Sequence, residues 1–219
     1  ITGNSTFTTA GAQSITLNSA STYTGTVAFV ASAGTLTNVT INDSGVFDLA
    51  ALTLTGDLTV TAGGAISDSG TLVVPGTTTI VAGANNVVLD DAANNFGIVA
   101  VTSAGTATLV DVGAIDLGAS TVTTLNVTAG GNISDSGTIV ASGTTTIVAG
   151  ANNVVLDDAA NNFGIVAITS AGTATLVDVG AIDIGASTVT TLNITAGGAI
   201  SDSGTIVASG TTTIVAGAN

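Results

Sequence analysis

Along most of the chain, apolar and polar residues alternate over short runs that break at clusters of Asp, Asn, Ser and Gly. In Leu125-Asn126-Val127-Thr128-Ala129 the apolar set falls on one face of an extended segment and the polar set on the other. Aligned on the Ala-Gly pair that follows such runs, Thr78 and Ile80 fall in the same inward phase as Leu125 and Val127. Val99 and Val101 fall in the opposite phase, which requires either an Ala-Gly pair that is not structurally equivalent or a β-bulge that shifts the register. Runs such as Thr77-Thr78-Thr79-Ile80-Val81 and Val99-Ala100-Val101-Thr102 are rich in β-branched residues, which suit strands. The strong polar helix formers Glu, Lys and Arg are absent, so the expected structure is overwhelmingly β.

Turn chemistry separates these runs. Asp-Ser-Gly stands at 43–45, 68–70, 135–137 and 202–204, and Asn-Asn at 85–86, 94–95, 152–153 and 161–162. Asp and Asn bond nearby backbone and Gly accepts positive φ, so these positions read as corners, as does Pro75-Gly76.

The pattern repeats. Ala84-Asn85-Asn86-Val87-Val88-Leu89-Asp90-Asp91 recurs at Ala151 to Asp158, an offset of 151 − 84 = 67, and Ala218-Asn219 opens a third copy. Residues 84–150 and 151–217 differ only at Val101/Ile168, Leu117/Ile184, Val127/Ile194 and Asn132/Ala199. Three of these exchanges swap one aliphatic for another, as core positions of similar volume tolerate. Residues 1–83 form a divergent version, recognisable from Thr59-Val60-Thr61-Ala62-Gly63-Gly64 and Ser67-Asp68-Ser69-Gly70. Ala-Gly pairs with Gly at 83, 105, 130 and 150 give steps of 22, 25 and 20, which suggests three coils per repeat. The fold class expected is therefore all-β: a right-handed parallel β-helix, or β-solenoid, with about 20–25 residues per coil and stacked units sharing one core. At about 4.8 Å per coil, three coils advance about 14 Å. The chain opens at Ile1 without an initiator Met and closes inside a repeat, so it reads as an excerpt of a longer protein.

Composition narrows the function. Of 219 residues, 45% are apolar and 6% charged, and all 14 charges are Asp. A chain without Lys, Arg or His lacks the phosphate contacts on which nucleic-acid binding rests, and its charge of −14 opposes anionic membranes. No uninterrupted apolar run approaches the ~18 residues of a membrane helix. A transmembrane barrel would share the alternation but calls for aromatic girdles, against five Phe and one Tyr. Without Cys there are no disulfides and no indication of redox compartment.

The segments "LDDAANNFG", "GAIDLGAST", "LNVTAGGNISDSG" and "TTTIVAGANN" resemble repeats of very large bacterial surface proteins of the filamentous-haemagglutinin type, exported by two-partner or autotransporter routes. That resemblance implies a right-handed parallel β-helical shaft, extracellular at the cell surface, that carries adhesive regions. It brings no site residues across.

The acidic residues hold most of the remaining candidate chemistry. Many parallel β-helices are polysaccharide lyases or hydrolases. Lyase chemistry needs a base with a pKa near neutrality, and no Lys, Arg or His is present. Hydrolysis by paired carboxylates has candidates in Asp90-Asp91, Asp111 and Asp116 and their copies Asp157-Asp158, Asp178 and Asp183. Their near-identical repetition favours structure, and no catalytic residue is expected. Ca²⁺ is the one cofactor that the acidic corners admit, with Asp90, Asp91, Asp157 and Asp158 as ligand candidates. The nonapeptide of calcium-binding β-rolls is missing, since Gly63-Gly64, Gly130-Gly131 and Gly197-Gly198 precede an Asp without the intervening pattern. Thr-x-Thr triplets at 35–37, 53–55, 59–61, 77–79, 106–108 and 121–123 raise an ice-binding reading, but their uneven spacing keeps them from sharing one face. Sequons at Asn4, Asn38, Asn126, Asn132 and Asn193 match by composition.

In Leu109-Val110-Asp111-Val112 the flanking valines are expected inward, which leaves Asp111 and its copy Asp178 in water and makes their exchange for Asn nearly neutral. The resulting reading is a non-catalytic extracellular shaft, fibre or filament. Its partners are further copies of itself, end to end or laterally, and host or matrix surfaces. The alternative is a Ca²⁺- or glycan-binding solenoid module.

Overall fold

Inter-strand hydrogen bonding decides the architecture, because short strands cannot stand alone and each must find a partner one turn away. The computed structural model describes residues 1–217, so Ala218 and Asn219, the expected start of a further copy, lie outside the described residues. The chain divides into two compact units, Ile1–Val112 and Gly113–Asn219. The first contains β1 (Ser5–Thr9), β2 (Ile15–Ser21), β3 (Thr26–Ala31), β4 (Val39–Asp43), β5 (Phe47–Leu49), β6 (Leu52–Thr53), β7 (Leu58–Ala62), β8 (Ile66–Asp68), β9 (Leu72–Val81), β10 (Val87–Leu89) and β11 (Asn95–Asp111). The second contains β12 (Ile115–Leu117), β13 (Ser120–Ala129), β14 (Ile133–Asp135), β15 (Ile139–Val148), β16 (Val154–Leu156) and β17 (Asn162–Asp178). It continues through β18 (Ile182–Ile184), β19 (Ser187–Ala196), β20 (Ile200–Asp202), β21 (Ile206–Ala208) and β22 (Thr212–Ala216).

The pairings are parallel and join each strand to the one a turn later. In the first unit one sheet runs β1, β3, β5, β8, β10 and the second half of β11. The other runs β2, β4, β7, β9 and the first half of β11, with β6 also on β9. In the second unit a front sheet holds β13, β15, the first half of β17, β18 and β20. A back sheet holds β12, β14, β16, the second half of β17, β19, β21 and β22. The chain is an all-β parallel β-solenoid of about 11 turns built on repeats of about 67 residues.

Alternation places the core as the sequence predicts. In the second unit Leu125 pairs with Thr145 and Thr145 with Val166, while Val127 pairs with Ile147 and Ile147 with Ile168, all of them buried. In the back sheet Ile133, Val154, Ala174 and Leu192 stack in register. Both residues of each aliphatic exchange, Val101/Ile168, Leu117/Ile184 and Val127/Ile194, are buried, whereas Asn132 and Ala199 are exposed. Thr78 and Thr145 are also inward and fully buried, each with an Oγ1 that lacks a hydrogen-bond partner.

Both explanations of the phase conflict hold. Val101 pairs with Ile80 but Ser103 with Val81, so Thr102 is an extra, exposed residue in β11 that lets Val99, Val101 and Ala104 all face inward. The same bulge recurs at Thr169 in β17, between Ile168 and Ser170. The Ala-Gly pairs are not equivalent either. Gly83 and Gly150 end strands as turn residues with φ of +62°, a conformation that suits glycine, whereas Gly105 and Gly172 lie within the long strands β11 and β17.

This corrects the count of coils. From β12 to the end of β17 the chain visits the back and front sheets alternately in seven segments: β12, β13, β14, β15, β16 and the two halves of β17. The next strand, β18, copies β12 with 182 − 115 = 67, yet lies in the front sheet while β12 lies in the back. A repeat is thus three and a half turns rather than three. The successive partners Ile133, Val154, Ala174 and Leu192 show the shorter coil directly. Their offsets are 154 − 133 = 21, 174 − 154 = 20 and 192 − 174 = 18, below the average of the Ala-Gly steps.

Two stability effects follow from the core assignments. Thr145→Val keeps the shape of the side chain and removes a buried, unpartnered hydroxyl, so it raises stability by about 1 kcal/mol. Val127→Asp places an unpaired charge in the core and costs several kcal/mol. Thermal melts of the two variants beside the parent chain read both effects, and a Thr145→Val melt at or below the parent's contradicts the first.

Candidate functional site

A parallel solenoid interrupts its strand ladders where the chain turns a corner between sheets, and buried N–H groups there require acceptors. Asp and Asn side chains supply them here, in two recurring brackets.

The first bracket uses an Asp at the inward end of a strand. Asp43 closes β4, Asp111 closes β11 and Asp178 closes β17, and all three are buried, at 1%, 2% and 2% exposure. One carboxylate oxygen of each accepts the backbone N–H of a buried aromatic residue. Tyr23 donates to Asp43 Oδ2 at 2.9 Å, Phe96 to Asp111 Oδ2 at 2.6 Å and Phe163 to Asp178 Oδ2 at 2.6 Å. The other oxygen takes an N–H of the turn that follows: Gly45 donates to Asp43 Oδ1 at 2.5 Å and Gly180 to Asp178 Oδ1 at 2.7 Å. The solvated placement expected for Asp111 and Asp178 is therefore wrong. In β11 the inward set is Ala107, Leu109 and Asp111, and in β17 it is Ala174, Leu176 and Asp178, which turns Val112 and Val179 outward at 54% exposure each. A hydrophobicity pattern assigns Val to the core. Here the orphan N–H groups at the corner outweigh the burial of one Val, because hydrogen bonds to a charged acceptor contribute about 1.5–3 kcal/mol each.

The second bracket spans a corner with an Asp and a buried Asn. Asp68 Oδ2 accepts from Asn94 Nδ2 at 2.7 Å, and the N–H groups of Asp90 and Asp91 point to the Asp68 carboxylate at 3.1 and 3.4 Å. Asn94, fully buried, accepts from the Leu72 N–H at 2.7 Å. Asp91 Oδ1 accepts from the Ala93 N–H at 2.9 Å and the Thr71 hydroxyl at 3.0 Å. The copy reproduces it: Asp135 receives Asn161 Nδ2 at 2.5 Å and the N–H groups of Asp157 and Asp158 at 2.9 and 3.3 Å. Asn161 accepts from Ile139 at 2.7 Å, and Asp158 Oδ1 accepts from Ala160 at 2.8 Å and Thr138 at 3.2 Å. Asn94 and Asn161 carry more of the corner than the sequence pattern assigns to them. Their signal is the second Asn-Asn pair, whose first member turns inward.

The calcium candidates thus sit at corners as expected, but their groups work as bracket members. Asp90 and Asp157 are exposed, and one oxygen of Asp91 and of Asp158 already takes two donors. Among the described residues no group of three or more acidic side chains comes together to hold a metal ion. The hydrolase candidates separate as well: Asp178 is buried at the end of β17 in the back sheet, whereas Asp183 lies partly exposed in β18 of the front sheet. The amide oxygens of three sequon residues serve the backbone, Asn4 for Thr26, Asn38 for Asp57 and Asn132 for Asn153. Thr59 and Thr61 lie in one sheet of the first unit and Thr108 in the other, so the Thr-x-Thr triplets divide between faces.

Asp178→Asn puts an amide N–H where one of two backbone donors needs an acceptor and is expected to cost about 2–4 kcal/mol. Asp157→Asn, at an exposed carboxylate, stays within about 0.5 kcal/mol. Denaturant melts of both variants test the bracket, and equal midpoints contradict it.

A family model described as repeats of unknown function (DUF5649) matches residues 36–103, 104–170 and 171–219. Comparisons with curated proteins and with solved structures find no match. The three matched segments cover most of the chain, and the last two begin at an offset of 171 − 104 = 67, the interval at which strands and brackets recur in the fold. The chain belongs to the DUF5649 family of repeats.

Proposed function

We propose that this chain is a structural, non-catalytic length of an extracellular fibre: the solenoid shaft of a surface adhesin or filament. The observation that carries the reading is the use of the buried acidic groups. Asp43, Asp111 and Asp178 each bond backbone N–H groups across a corner, and Asp68 and Asp135 tie successive turns. Repetition supports it, because an enzyme needs one irregular site whereas residues 84–150 and 151–217 are nearly the same. The resemblance to filamentous-haemagglutinin-type repeats supports the surface location, and the absence of Lys and Arg leaves trypsin no cleavage site in the segment. Stacking on further copies of the same repeat is the natural partner interaction of such a shaft, since a solenoid's terminal turn offers an unpaired strand edge. The acidic corners keep a calcium- or glycan-binding module as the second reading.

Antibody raised against residues 84–217 is expected to label intact cells of the producing organism. Labelling that needs permeabilisation overturns the surface assignment. Isothermal titration with Ca²⁺ separates the two readings: the shaft gives no saturable heat, and a stoichiometric, saturable binding curve favours the module.

A further inference from the structure

We propose that the repeat is a two-faced display unit, in which successive copies present the same outward side chains on opposite faces of the solenoid. The second unit contains the evidence. Seven half-turns separate β12 from its copy β18, and an odd number of half-turns returns the chain to the opposite sheet. The exchange holds for the strands that follow. β13 pairs in the front sheet and its copy β19 in the back, and β14 pairs in the back sheet and its copy β20 in the front. Residue by residue, exposed Thr128 lies beside Val148 in the front sheet, whereas its equivalent Thr195, also exposed, lies between Val177 and Val215 in the back. Thr121 and Thr188, both exposed, divide in the same way.

The interior permits this exchange because both sheets present the same kind of surface to the core. Leu125 and Val127 of the front sheet and Leu192 and Ile194 of the back are equivalent pairs and equally buried. The inward side chains of a copy therefore pack from either side. No difference in sequence marks a copy as front or back: residues 84–150 and 151–217 differ at four positions, three of them conservative and buried.

A binding partner that recognises the outward surface of one copy therefore meets that surface on both faces in alternation. It finds the surface again on the same face only after two full copies. A shaft of such repeats joins partners on its two sides, and gain or loss of a single copy turns everything that follows by half a turn. An integral number of turns would instead align all copies along one face.

Pulsed electron-spin distance measurement tests the alternation. Because the chain has no Cys, paired cysteines introduced at Thr128 and Thr195 of the full chain provide the only labelling points. Ser134 and Asn193, three turns apart in the back sheet through Val155 and Thr175, form the same-face control. The control backbones are about 14 Å apart, at about 4.8 Å per turn. The Thr128/Thr195 pair adds half a turn of rise, the separation of about 10 Å between packed sheets and two labels pointing away from each other, so its distance is expected beyond about 25 Å. A Thr128/Thr195 distance equal to that of the control overturns the proposal. The pair at Thr121 and Thr188 repeats the measurement should either label disturb its strand, and circular dichroism checks that each labelled chain retains its β spectrum.

Discussion

The structure depends on satisfying the backbone of a chain that turns a corner every few residues. Within a sheet, parallel pairing with the turns before and after uses the N–H and C=O groups of each strand. At the corners part of that pairing continues, as from Ser44 to Ser21 and from Val112 to Asn94, but the N–H groups of Tyr23, Leu72, Phe96, Ile139 and Phe163 are buried and bond to side chains. Water cannot reach them, and leaving each unpaired costs about 1–3 kcal/mol. Asp43, Asp111 and Asp178 meet this demand with carboxylate oxygens on a short stem, and Asn94 and Asn161 with an acceptor for a backbone N–H and a donor to an Asp carboxylate, both partners lying in the turn before. A longer acidic side chain would place its carboxylate differently at the same strand end. The corner chemistry therefore fits a chain whose only charged residue is Asp.

The same requirement limits what the acidic groups are free to do. The oxygens of Asp178 hold the N–H groups of Phe163 and Gly180, and the buried end of β17 keeps them from solvent. Both oxygens of that carboxylate are therefore engaged by backbone donors.

Packing then converts the corner rule into a repeat. In the second unit Leu125 and Val127 of one sheet and Leu192 and Ile194 of the other are equally buried, so the core accepts the same segment in either sheet. What fixes the sheet is the number of corners between one segment and the next. Seven segments in each copy give the repeat its half-integral pitch, and the extra residues at Thr102 and Thr169 keep the long strands β11 and β17 inward on both sides of their bends.

The sequence by itself determined a great deal. Alternation, β-branched composition and the long repeat specify strands, stacking and a parallel solenoid, because each is a local property that burial on one face imposes on neighbouring residues. Leu125, Val127, Thr78 and Ile80 could be placed inward from pattern alone, and the Asp-Ser-Gly and Asn-Asn clusters located the corners. Tertiary structure decided the rest. Asp111 turned inward against the expected phase because its acceptor capacity was needed by the N–H of Phe96, fifteen residues earlier in sequence and adjacent only after the chain had coiled. The Ala-Gly pairs looked alike yet mark a turn at Gly83 and the interior of a strand at Gly105. Whether a repeat closes after three turns or three and a half depends on which corners the chain takes, and a corner is fixed by hydrogen bonds between turns, which a linear pattern of polar and apolar residues does not encode.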